Sequence, residues 1–216
     1  MFKYIFLDLD GTLTDPFLGI TNSVKYALKK FDIDKTNEEL KCFIGPPLRE
    51  SFHEYYGMDP DTCEDAIKYY REYFSTKGLF ENELYPFTVK TLAELKKMGL
   101  TIVLATSKPE KFSVEILKHF EIFDYFDFVS GSTMDKTRDN KTVIIKYAID
   151  ELNITNLDEI LMVGDRHHDI VGAKDNGIKC CYVTYGYGSV DEANKYGANY
   201  IISDLLDLID IIKGSN

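Results

Sequence analysis

The feature that most restricts what this chain can fold into is an alternation. Short apolar runs at 4–7, 101–105, 126–129, 160–163, 180–183 and 200–202 end on polar or turn-forming residues. Runs of that length, so bounded, mark buried strands. Between several of them lie apolar residues at helical spacing. Val89, Leu92 and Leu95 form one stripe, closed by Gly99. Phe112, Ile116, Leu117 and Phe120 form a second, opened by Pro109, and Val143, Ile144, Tyr147, Ala148 and Leu152 a third. Apolar residues three and four apart share one helix face, while Pro and Gly punctuate helix starts and ends. Strands separated by helices join through crossovers, so the sheet is parallel and carries helices on both faces. The expected class is α/β, a doubly wound parallel sheet of Rossmann type.

One stretch breaks the alternation. From 16 to 85 no strand-like run occurs, only helical ones at 20–31, 48–56 and 62–74. The last is rich in Tyr and Phe, and an aromatic stripe at helical spacing reads as core before it reads as a cofactor box. The pattern predicts a helical domain at 16–85 inserted into an α/β core of 1–15 and 86–216. Prolines mark both junctions, near 14–16 and 83–86. A length of 216 residues suits one large domain or two smaller ones.

Composition excludes several classes. At 44% hydrophobic and 28% charged residues the chain is neither disordered nor collagen-like. The 36 Asp and Glu against 25 Lys and Arg leave a net charge of −11, so no broad basic surface is available for a nucleic-acid polymer. No apolar run approaches the ~18 residues of a membrane span. After Lys3, only Tyr4, Ile5, Phe6 and Leu7 precede Asp8, too few for a secretory leader. Cys42, Cys63, Cys180 and Cys181 lack zinc-site or Cys-x-x-Cys spacing and read as reduced thiols of a cytoplasmic protein. On a strand, the adjacent Cys180 and Cys181 point to opposite faces.

Ligands of open α/β sheets bind beyond the carboxyl ends of the strands. The first run leads into Asp8-Leu9-Asp10-Gly11-Thr12-Leu13-Thr14, the second into Thr106-Ser107-Lys108-Pro109, and the fourth into Gly164-Asp165-Arg166-His167-His168-Asp169; after the third, Lys141 opens a helix. Carboxylates at two strand ends make a hard, oxygen-rich site suited to Mg2+, and hydroxyl and ammonium donors at the others suit a phosphoryl group. Blander roles compete. Asp10-Gly11-Thr12 is also a turn, Thr106 and Asp165 are also helix N-caps, and Lys136 and Lys146 rival Lys141 by position. Lys108 follows Thr106 closely enough to be a second phosphate contact. His167 and His168 invite a transition metal, which oxygen ligation of Mg2+ does not need.

In this order the segments resemble the four motifs of the haloacid dehalogenase-like hydrolase superfamily. The chain looks most like its phosphoglycolate phosphatase-like branch, and the helical insertion resembles that branch's cap. The resemblance implies that Asp8 is the nucleophile and forms an aspartyl-phosphate, with Asp10 as general acid and then base. It implies Mg2+ held by Asp8, the Asp10 carbonyl and Asp165, with Asp169 in the outer shell. Thr106 and Lys141 would bind the phosphoryl group, assisted by Ser107, Gly11 and Thr12. Gly45-Pro46-Pro47-Leu48-Arg49 resembles the cap loop, so Arg49 either binds a substrate anion or pairs with Glu50 or Glu54 in solvent. The implied activity is Mg2+-dependent hydrolysis of small phosphorylated metabolites, phosphoglycolate or nucleoside monophosphates first. A 5'-nucleotidase and a sugar phosphomutase of the same fold are the alternatives.

Related chemistries fit less well. A dehalogenase of this fold would lack the acid at Asp10. A phosphonatase would use a cap lysine, for which Lys25, Lys29, Lys30 and Lys41 are available. A receiver domain, which also gathers acids, a threonine and a lysine, would have no helical insertion after the first strand. Oligomeric state is not written in the sequence.

Overall fold

A computed structural model describes residues 1–135 and 137–214. Strand β1 (Tyr4–Leu7) is followed by β2 (Thr14–Asp15), the helices α1 (Phe17–Lys29), α2 (Leu48–Tyr56) and α3 (Pro60–Tyr73), and β3 (Glu83–Leu84). The rest alternates: α4 (Thr88–Lys97), β4 (Thr101–Pro109), α5 (Glu110–His119), β5 (Phe128–Ser132), α6 (Lys141–Glu151), β6 (Ile160–Gly164), α7 (His167–Asp175), β7 (Lys179–Val183), α8 (Val190–Tyr196), β8 (Tyr200–Ile202) and α9 (Asp207–Gly214). Two compact units result, one of Met1–Thr14 with the chain from Leu84 onward, the other Asp15–Glu83.

The first unit is built on a 6-stranded sheet of order β5-β4-β1-β6-β7-β8, every pair parallel. The chain runs from β1 outward to β4 and β5, then returns to β6 on the other side of β1. That reversal opens a crevice at the carboxyl end of β1. Register sets the floor of the crevice: Leu7, the last residue of β1, lies opposite Leu104 on β4 and Val163 on β6, and β4 runs on beyond that level to Pro109.

Alternate residues of each strand face alternate sides. Phe6, Val103, Met162, Cys180 and Tyr182 pack against Ile144, Ile145 and Ala148 of α6 and Ile170 and Ala173 of α7. Burying each large side chain contributes on the order of 1.5–3 kcal/mol. Cys180 belongs to this cluster and Cys181 does not. Both are buried free thiols, and burial pushes the Cys181 thiol up to about 12, far from reactivity.

The strand expected at 126–129 starts later. Asp127 spends its carboxylate on the Ile102 N–H, at 2.8 Å, and on Lys96, at 2.7 Å. That leaves an irregular lead-in, and Ser130-Gly131 lies inside β5 rather than ending it. No strand was expected between 16 and 85, yet the two-residue β3 lies there and pairs with β2, just before that stretch, as a 2-stranded ladder.

In the second unit, α3 starts where Asp59 accepts hydrogen bonds from the Asp61 and Thr62 amides, with Pro60 in the first turn. Its aromatic residues are packing, as their spacing suggested. Tyr70 stacks on Phe74 at 5.4 Å and Phe31 meets Tyr69 edge-on at 6.1 Å. Among the described residues no helix is long and apolar enough to cross a membrane.

Candidate active site

Asp8 is the first residue beyond β1, its amide bonded to the Val163 carbonyl at 2.9 Å. Its Oδ1 accepts from the Leu9 amide at 2.8 Å and is ion-paired with Lys141 Nζ at 2.9 Å. Lys141 opens α6 behind the Asn140 N-cap, and its side chain is only 3% exposed. Its other two partners are Asp169 Oδ1 at 2.8 Å and the Ala105 carbonyl at 2.9 Å. The ammonium thus donates to one carbonyl and is ion-paired with two carboxylates. Burial works against its charge, but Asp169 and Asp8 outweigh it and hold the ammonium well above the ordinary lysine value.

Asp165 leaves β6 in an extended turn, and α7 begins only at His167. The N-cap is Arg166, whose amide is accepted by Asp169 Oδ2 at 3.1 Å. Asp165 is therefore neither an N-cap nor a face-mate of Asp169 on the helix. Its Oδ2 accepts from the Tyr187 amide at 2.7 Å, while its buried Oδ1 has no hydrogen-bond partner among the described residues. Burial pushes Asp165 well above the usual carboxylate range, with Asp169 and Asp8 adding to it. Burial likewise pushes Asp169 up to about 6, against the pull of Lys141.

Asp8, Asp165 and Asp169 offer oxygens within 4.8 Å of one another. Three buried carboxylates face one ammonium, and Oδ1 of Asp165 and of Asp169 accept no hydrogen bond among the described residues. Uncompensated buried charge is costly, and an all-oxygen donor set suits a hard divalent cation. The donor set contains no histidine. His167 stacks on Tyr196 at 4.8 Å, and Arg166 pairs with Glu192 at 3.5 Å, so both serve the packing of α7 against α8.

Asp10 points to a different cation. Its Oδ2 pairs with Lys108 Nζ at 2.6 Å, and burial raises its pKa against that attraction. Thr106 is buried and accepts from the Lys108 amide at 3.3 Å. The N-cap of α5 is Pro109, not Thr106. Ser107 lies between the two on β4. Gly11 has φ +84°, and a Cβ there would meet Asp165 Oδ2 at 2.2 Å. Thr12 is buried, with Oγ1 unpartnered among the described residues, and its carbonyl accepts the Tyr185 hydroxyl at 2.7 Å.

Arg49 belongs to the helical unit and pairs with Glu64, not Glu50 or Glu54. Of the two rivals of Lys141, Lys146 pairs with Asp150 on the exposed side of α6, and Lys136 lies outside the described residues. Sequence reasoning missed the segment after β7. Its Tyr187 amide holds Asp165, and a Cβ at Gly186 would meet Asp165 Cβ at 2.4 Å. The Gly-x-Gly at 186–188 beyond a strand end was the available signal.

Residues 4–183 match the haloacid dehalogenase-like hydrolase family. A 5'-nucleotidase of Pseudomonas aeruginosa is 40% identical over 210 residues, covering 97% of this chain and 95% of its own. The tyrosine-protein kinase PtkA of Mycobacterium tuberculosis is 35% identical over 194 residues, 89% of this chain and 66% of that protein. A phosphoglycolate phosphatase of Vibrio parahaemolyticus is 27% identical, with 97% and 96% covered. Among solved structures, a predicted phosphatase from Clostridium acetobutylicum matches with a TM-score of 0.95 at 46% identity, covering 99% of each chain. The chain belongs to the haloacid dehalogenase-like hydrolase family, within its phosphoglycolate phosphatase-like branch. It is a phosphoric monoester hydrolase.

Proposed function

We propose that this phosphatase requires Mg2+ and hydrolyses small phosphate monoesters through an aspartyl-phosphate on Asp8. The observation that carries the reading is Lys141, a buried ammonium joined to Asp8 and Asp169 at the crevice of the sheet. Asp8, the Asp10 carbonyl and Asp165 would hold the cation, with Asp169 in its outer shell. Bound there, it supplies the positive charge that lets a carboxylate approach a phosphate dianion.

Asp8 attacks phosphorus: a bond forms from its carboxylate oxygen to phosphorus, and the ester P–O bond breaks. Asp10 gives a proton to the departing alkoxide, then takes one from the water that cleaves the acyl-phosphate. Lys141 stabilises the charge that builds on the phosphoryl oxygens. Thr106 donates its hydroxyl to one of them, and Ser107, Gly11 and Thr12 line the same pocket of donors. The helical unit acts as the cap that selects the ester, with Arg49 as its anion contact once released from Glu64. The reduced thiols suit a cytoplasmic setting.

A second reading narrows the substrate to nucleoside 5'-monophosphates, favoured by the 40% identity to a 5'-nucleotidase across nearly the whole chain. The test is a panel of phosphate esters, including phosphoglycolate and the nucleoside monophosphates, with and without Mg2+, for the native protein and Asp8→Asn. Turnover by Asp8→Asn at the native rate would overturn the mechanism. Metal-independent turnover would remove the cation role of Asp165. A kcat/KM for phosphoglycolate above those of the nucleotides would reject the narrower reading.

A further inference from the structure

We propose that Lys108 is the positioning residue for Asp10. Its ammonium holds Oδ2 of the Asp10 carboxylate, so that Oδ1 is the oxygen that exchanges a proton with leaving group and water. This rests on the reading in which Asp10 is the acid and base. The pair is short and enclosed: 2.6 Å, with Lys108 6% and Asp10 15% exposed at the side chain. Asp10 Oδ1 is buried and has no hydrogen-bond partner among the described residues. One oxygen is thus fixed and the other uncommitted, as a carboxyl that must deliver a proton in one direction requires.

The backbone is shaped to deliver this lysine. Ala105 pairs with Ser130, and Pro109 with Ser132, so β4 advances four residues while β5 advances two. A bulge of this kind re-aims side chains at the end of a strand. The Lys108 amide closes onto the Thr106 hydroxyl at 3.3 Å, which braces the bulge. Lys141 is committed elsewhere: it is ion-paired with Asp8 and Asp169 and donates to the Ala105 carbonyl. The site therefore has two lysines with separate duties, Lys141 on the nucleophile and Lys108 on the acid. Burying a lysine against a carboxylate adds little stability, which favours orientation as a use of this pair.

The rival role, direct contact of Lys108 with the phosphoryl group, gives a different kinetic signature. The test compares kcat/KM for an alkyl ester, a nucleoside 5'-monophosphate, with that for 4-nitrophenyl phosphate, whose leaving group departs without a proton. Lys108→Met is expected to lower the alkyl value at least about tenfold more than the aryl value, part of the roughly 10²–10⁴-fold a positioned acid supplies. In an Asp10→Asn background, the same substitution adds no further selective loss. Lys108→Arg, which keeps the charge, restores the ratio of the two esters toward native and carries the comparison if the methionine variant does not fold. Equal losses for both esters, with weakened inhibition by inorganic phosphate, would overturn the positioning role in favour of phosphate contact. Failure of the underlying reading looks different: Asp10→Asn would lower the alkyl and aryl values equally, whatever Lys108 does.

Discussion

At the residue scale, the site concentrates charge that the fold alone does not neutralise. Asp165 and Asp169 are both raised by burial, Asp169 to about 6. A carboxyl raised in the folded state binds more protons than its unfolded counterpart, so stability falls as pH rises through the window between them. Metal-free protein should therefore lose stability between about pH 4 and pH 6, and Mg2+ should restore most of it above that range. Denaturant titrations in EDTA and in Mg2+ across that range check this; metal-free stability rising with pH would contradict the raised values. Asp165→Asn removes one of the repelling charges and should raise the metal-free unfolding temperature while abolishing the increment from Mg2+. Gly11→Ala should act in the opposite sense. It forces an alanine to φ +84°, a strain on the order of 1–2 kcal/mol, and drives its Cβ into Asp165. Both thermal stability and Mg2+ affinity should fall.

At the scale of elements, α6 and α7 must lie close enough for Lys141 to reach Asp169. Gly172, in the middle of α7, is where they do so: a Cβ there would meet Lys141 Cγ at 2.8 Å. A mid-helix glycine gives up about 1 kcal/mol of helix propensity relative to alanine. Gly172→Ala should lose more than that to the clash, since overpacking costs about 1–3 kcal/mol, and should lower kcat about tenfold by displacing the Lys141 stem. Unchanged kcat with raised stability would show that the ammonium has slack. The same elements show what a sequence reveals. Buried strands announce themselves as apolar runs, so the strand ends carrying Asp8 and Asp165 were legible, while β4, read as ending at Ala105, runs on to Pro109 with Thr106 inside it; the Asn140 cap brings Lys141 to the start of its helix. What Lys108 pairs with was not, because the bulge in β4 is a tertiary feature that leaves no periodicity. Nor was the hold of the Tyr187 amide on Asp165, since a backbone donor has no residue type. The Ser-Gly within β5 misled for the converse reason, a local turn signal overridden by pairing with β4.

At the scale of the whole molecule, the two units differ in what they are asked to do, and each can be tested by itself. Arg49 pairs with Glu64 at the surface, the two side chains 42% and 48% exposed, and such pairs contribute about 0–1 kcal/mol. Arg49→Ala should leave the unfolding temperature nearly unchanged. It should raise KM for esters bearing a second anion more than for 4-nitrophenyl phosphate; equal KM effects would remove Arg49 from substrate selection. The α/β unit, for its part, closes its own chain. The Leu13 carbonyl accepts both the Tyr85 amide at 3.0 Å and the Thr88 hydroxyl at 3.0 Å, so the chain that leaves after Leu13 returns beside it. Loop-closure entropy grows only slowly with loop length, and exchanging residues 15–83 for a short Gly-Ser linker asks the ends to move nowhere. The shortened protein should unfold cooperatively and keep its stabilisation by Mg2+, because Asp8, Asp165, Asp169 and Lys141 all belong to this unit. It should still cleave 4-nitrophenyl phosphate, slowly, because nothing then excludes bulk water. Its preference among natural esters should collapse toward a common value, if the groups left behind touch only the phosphoryl end as proposed. A shortened protein that folds and binds Mg2+ but still ranks the esters as the full chain does would place substrate selection in the α/β unit, at the mouth formed by the segments after β1 and β7.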